Sequence, residues 1–158
     1  MMLFQANMRR QNGFTLVEIM IVVSIIALLA LLALPSFLRA REQSREAKFM
    51  NGLRVASGAF EMYVAEHSAY PPDVTRGVIP SGMDAYFGPT FDWTQPTPLG
   101  GNWDWDYGVF GFTAAVSAVG TTASTQQMQE VDSRMDDGDL STGQFQDKGG
   151  NRYSMILE

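Results

Sequence analysis

Gly13-Phe14-Thr15-Leu16-Val17-Glu18 opens into residues 19–38, twenty positions without a charged side chain. At about 1.5 Å per helical residue this run spans roughly 30 Å, the thickness of a hydrocarbon core, so it can cross a bilayer as a helix. Glu18 is the anomaly at its head. A mid-membrane acid costs about 2.5–3.5 kcal/mol on insertion scales, so this carboxylate either rests at the interface or has a partner.

Upstream lies Met8-Arg9-Arg10-Gln11-Asn12-Gly13, a basic segment ending in glycine. Gly13 followed by Phe14-Thr15-Leu16-Val17-Glu18, with arginines before and a hydrophobic helix after, resembles the type IV pilin superfamily, which includes the pseudopilins of type II secretion. An ordinary secretory signal loses its apolar region on cleavage. The resemblance instead implies a leader of residues 1–13, a cut between Gly13 and Phe14 by a prepilin peptidase, and N-methylation of the new Phe14 terminus. The anchor then stays on the mature chain. Translation could begin at Met1, Met2 or Met8.

The 158 residues leave room for one long helix and one modest head, and the absence of cysteine excludes disulfides and thiolate metal sites. Net charge is −6, unevenly spread: Arg39, Arg41, Arg45, Lys48 and Arg54 follow the apolar run against Glu42 and Glu46, whereas from His67 onward there are twelve acidic and four basic residues. The basic leader favours a cytoplasmic N-terminus and an exported head. The basic collar lies on the wrong side for that rule, which leaves helix contacts or anionic headgroups to account for it. So acidic a head repels phosphates, which argues against nucleic acid as a partner.

Beyond Ser36 the helix need not stop. Phe37, Ala40, Ser44, Ala47, Met50, Leu53, Ala56, Phe60 and Tyr63 recur at three- and four-residue spacings, an apolar or small stripe that packs on a sheet from Leu53 onward. The segments expected are therefore 14–38 for membrane and assembly, 39–69 for the amphipathic continuation, and 70–158 for the head. Pro35 cannot bond the carbonyl of Leu31, so a kink or melted turn is expected there. By resemblance, Pro35 matches the position where pilin helices unwind on entering a filament. Gly52 and Gly58 mark either close approach to another element or tolerated weakness.

Tyr70-Pro71-Pro72 ends the helix near Ser68 and opens a proline-rich variable loop over 71–101, with one short helix near 81–86. Trp103, Trp105 and Tyr107 alternate with polar residues, predicting a strand over 102–107 and an antiparallel partner over 112–119. The paired tryptophans are read as core rather than as a sugar platform. Met128, Val131 and Met135 predict a short helix ending at Gly138, and residues 145–157 a closing hairpin. The expected fold is α+β and pilin-like: a long hydrophobic helix packed on a small antiparallel sheet.

Asp132, Asp136, Asp137 and Asp139 could bind calcium, as the heads of some major pseudopilins do, although their spacing is not that of an EF-hand; otherwise they form a solvated turn and the chain needs no cofactor. A single histidine, His67, at a helix end, with no cysteine, phosphate loop or nucleophile elbow, supplies no catalytic set.

The expectation is a non-enzymatic filament subunit stored in the inner membrane, head outside, and drawn into a periplasmic or surface filament. Phe14, Glu18 and Pro35 carry assembly, the freed Phe14 amine of one subunit pairing with Glu18 of another. The resemblance implies as partners similar subunits, a prepilin peptidase, an inner-membrane platform protein and an assembly ATPase. A missing C-terminal cysteine pair and a compact head lean towards a pseudopilin-like or minor subunit. The competing reading is a membrane-tethered binding module that never polymerises.

Overall fold

A computed structural model describes residues 13–158. Arg9, Arg10 and the rest of the expected leader before Gly13 lie outside the described residues. The chain divides into two units, one ending at Arg41 and one from Glu42 to Glu158. Helix α1, Leu16–His67, contains the charge-free run and the striped segment in one uninterrupted element.

Pro35 does not melt a turn. The helix runs through it, because a missing amide removes one bond from an element whose flanking turns keep theirs. The C-terminus falls one residue before the expected Ser68, which takes a left-handed φ of 56° while its amide bonds back to Val64 at 2.7 Å. This is a helix-closing geometry ahead of the prolines.

The second unit is a four-stranded antiparallel sheet in the order β1-β2-β4-β3, with β1 Asn102–Tyr107, β2 Ala114–Val119, β3 Phe145–Gly149 and β4 Arg152–Ile156. Helix α2, Thr125–Met135, lies between β2 and β3 in the chain, and Ser124 caps it through the Gln127 amide. It ends at Met135, earlier than the expected Gly138. The expected short helix at 81–86 is replaced by turns, closed by Met83 N to Pro80 O and Tyr86 N to Met83 O, both 3.0 Å. Pro80, Gly82 and Gly88 bracket that stretch too closely for a second helical turn.

Aromatic side chains of α1 and β1 build the core. Phe49 stacks on Trp103 at 5.7 Å, Phe60 on Trp105 at 3.7 Å, and Trp93 from the proline-rich loop fills the space between. Trp103 and Trp105 are core, as expected, whereas Tyr107 at the strand end is 38 % exposed. Gly52 permits this packing: a Cβ there would stand 2.8 Å from the Trp103 ring, while one at Gly58 would meet nothing within 4 Å. Gly52→Ala is therefore expected to destabilise the head by about 1–3 kcal/mol through overpacking. Gly58→Ala should stabilise it by about 1 kcal/mol through helix propensity. Thermal melts of the two variants, moving in opposite directions, check the pair.

Candidate functional site

The head of α1 is closed by its own residues. Thr15, just before the helix, donates its amide and its hydroxyl to Glu18 Oε2, each at 2.8 Å, and the Glu18 amide donates to Thr15 Oγ1 at 3.2 Å. This reciprocal arrangement is a capping box, satisfying amides that the first helical turn leaves unpaired. Thr15-Leu16-Val17-Glu18 has the S/T-x-x-E spacing that announces it, a signal the charge argument alone passes over. Glu18 thus has a structural task within its own chain, and among the described residues its second carboxylate oxygen takes no hydrogen bond. Phe14 is 84 % exposed immediately before the cap. Pro35 lies well down the same apolar surface, where Leu31, Leu32 and Leu34 are all exposed.

A second polar constellation forms at the C-terminal end of α2. One carboxylate oxygen from each of Asp132, Asp136 and Asp137 lies within 4.8 Å of the others. Asp132 is fully buried, and among the described residues neither of its oxygens has a hydrogen-bond partner. Burial first, then the neighbouring Asp137 and Asp136 charges, push its carboxyl up to about 6.

Asp136 Oδ2 accepts the amides of Gln144 and Phe145, and Asp137 Oδ2 accepts the Thr142 hydroxyl at 2.7 Å, so the loop after α2 wraps back over the acids. Gly143, at φ 71°, makes that wrap possible: a Cβ would lie 1.9 Å from Asp136 Oδ2. Asp139 does not join the three; its Oδ1 accepts the amide and hydroxyl of Ser141, which holds its carboxyl below the usual range. Hard oxygen donors around an orphaned buried carboxylate fit a hard divalent cation such as calcium.

A third cluster was not read from the sequence. Asp104 and Asp106 alternate with the tryptophans, which suggests a solvated face, yet both are buried. Arg152 of β4 reaches across β2 to bond Asp104 Oδ2 at 2.9 Å and Asp106 Oδ1 at 2.6 Å. Ser117 donates to Asp106 and pairs with Ser154 at 2.7 Å, extending the polar seam across three strands.

One guanidinium serves two carboxylates here, so burial first, then Asp106, push Asp104 up to about 6 although Arg152 pulls it down. The folded chain therefore takes up this proton near pH 6, whereas the ordinary value is 3.8. Stability from this group is complete below that lower value and lost as pH rises through the higher one. The melting temperature of the full chain in detergent is expected to fall from pH 5 to pH 7, and Asp104→Asn should flatten part of that slope.

Residues 8–34 match the model of the prokaryotic N-terminal methylation motif. The chain carries that motif. It encloses Gly13, Phe14, Thr15 and Glu18, and so coincides with the capped start of α1.

The type II secretion system core protein G of Klebsiella pneumoniae is 41 % identical over 64 residues, which is 40 % of this chain and 46 % of that protein. Its namesake in Vibrio cholerae is 38 % identical over 65 residues, 41 % of this chain and 44 % of that protein. The type IV wide pilus major component PilA4 of Thermus thermophilus is 29 % identical over 94 residues, 50 % of this chain and 72 % of that protein. The chain thus spans less than half the length of the two core protein G relatives. No solved structure matches it significantly. The relatives bear the names of pilus and secretion-system components rather than of enzymes.

Proposed function

We propose that the chain is a structural subunit of a type II secretion pseudopilus or a related pilus. It is stored in the inner membrane with its head outside, cut after Gly13, methylated on Phe14, and polymerised through α1. The observation that carries this reading is the capped start of an exposed apolar helix lying inside the methylation motif. Such a helix has two media that suit it, lipid and a bundle of its own kind, and passing between them is filament assembly.

Glu18 supports the same reading physically. The freed Phe14 amine of one subunit and the Glu18 carboxylate of its neighbour compensate each other in a low-dielectric bundle, which fixes axial register. A prepilin peptidase, a platform protein and an assembly ATPase are the partners this route requires. Calcium at Asp132, Asp136 and Asp137 belongs to the same proposal, as the cation that neutralises those acids and ties the loop after α2 to the head.

Mass spectrometry of the mature N-terminus tests the processing. A methylated phenylalanine at position 14 is expected, in a product of 145 residues when the chain starts and ends as given. A chain that retains the segment before Gly13 in cells with an active processing peptidase overturns the reading, as does a processed chain that stays monomeric beside working assembly machinery. The latter result favours the tethered binding module.

A further inference from the structure

The unit from Glu42 to Glu158 presents a groove at one end and an apolar knob at the other. The groove, about 540 Å³, runs along α1. Lys48, Asn51 and Gly52 form one wall, Phe91 and Pro98 the facing wall, and Trp103 contributes its ring. Its walls are fixed before anything enters: Arg45 Nε donates to the Pro98 carbonyl at 2.8 Å, and Phe49 stacks on Trp103 from within.

The knob is the loop between β1 and β2. From Trp103 beside Phe49, β1 passes Trp105 beside Phe60 and reaches Tyr107 beside Tyr70, so it advances towards the C-terminal end of α1. Phe110 lies beyond it, 54 % exposed, with a left-handed φ of 54° that a bulky residue rarely adopts. The Arg152 guanidinium backs its ring at 4.4 Å. Asn51 and His67 are about 24 Å apart along the helix, so groove and knob do not meet within one copy.

Charge separates the two ends in the same sense. Arg45, Lys48 and Arg54 stand exposed along the groove segment of α1, against Glu42; Asp92 in the far wall is engaged by Thr94. Around the knob, Glu61, Asp73 and Glu158 are exposed, Asp73 taking the Tyr107 amide and Glu158 pairing through its backbone with Thr113, while Arg152 is held by Asp104 and Asp106 and Lys148 lies over Phe112.

We propose that the groove receives a second copy of this chain, with Phe110 of one subunit seated against Trp103 between α1 and the 90–98 loop of the next. The acidic rim of the knob then meets Arg45 and Lys48. Because the two surfaces lie at opposite ends of one unit, the contact is head-to-tail and propagates rather than closing on itself. This rests on the filament reading and adds an axial contact between heads to the one made by α1.

The test uses the full chain in cells with its assembly machinery. Since the chain has no cysteine, Asn51→Cys combined with Val109→Cys supplies the thiols. Oxidised, sheared polymers are expected to run as a ladder on a non-reducing gel, and either single variant should not. Asn51→Trp, an exposed helical position that fills the groove mouth, should lower polymer recovery at least tenfold with the circular dichroism spectrum unchanged, and Phe110→Ser should do the same. Wild-type recovery from both of those variants, with no ladder from the double cysteine chain, overturns this contact alone. Absence of polymer from the unmodified chain overturns the filament reading and this contact with it.

Discussion

Glu18→Ala is expected to abolish assembly while leaving processing at Gly13 intact. The substitution removes two things at once: the capping interaction with Thr15 and the charge proposed to meet a neighbour's Phe14 amine. Loss of the cap costs the helix start about 1 kcal/mol. An ammonium left without its carboxylate in a low-dielectric bundle costs more, about 3–5 kcal/mol where both partners are buried, so polymer should fall by more than about a hundredfold.

Glu18→Gln separates the contributions, because an amide oxygen still accepts the Thr15 bonds but carries no charge. If register depends on charge, Gln behaves like Ala. If the cap alone matters, Gln assembles like the wild type, and the proposed pairing with Phe14 is wrong. Cleavage, followed by the size of the chain on a denaturing gel, has to be unchanged in both.

The second large effect concerns the acids after α2. If calcium occupies them as proposed, a concentration about a hundred times its dissociation constant is expected to add about 2.7 kcal/mol to the folded state, which for a head of this size raises the melting temperature by roughly 10 °C. Addition of a chelator to the purified full chain should reverse that rise. Asp132→Asn should remove the calcium response, since it neutralises the buried carboxylate whose oxygens have no hydrogen-bond partner among the described residues. Asp139→Asn should preserve it, because that side chain is engaged with Ser141. A melting temperature indifferent to calcium and chelator would show that the three acids are only a turn.

What could be read from the residues alone follows from where the deciding interactions lie. Helix α1 announces itself through local periodicity, and each of its turns repeats the argument of the one before. Strand β1 announces its tryptophans in the same way. Alternation says which side chains share a face, however, and not what covers the other face. Asp104 and Asp106 look solvated until Arg152, nearly fifty residues downstream, is brought against them by the pairing of β2 with β4.

Asp132 was legible in part. It falls four residues after Met128, beside Val131 on the apolar face of α2, so its burial follows from helical geometry even though its neighbours in the loop do not. Pro35 is the opposite case: of the kink or melted turn that its missing amide suggests, the melted turn does not occur, because intact turns on either side carry the helix through.

The strand order has a kinetic consequence. β1 with β2, and β3 with β4, are hairpins of chain neighbours, whereas β2 meets β4 only across α2. Local hairpins nucleate within microseconds, but joining them closes a loop of roughly 30 residues, the slower event. The Ser117–Ser154 seam is therefore zipped late, and substitutions along it should quicken unfolding while leaving the refolding rate nearly untouched.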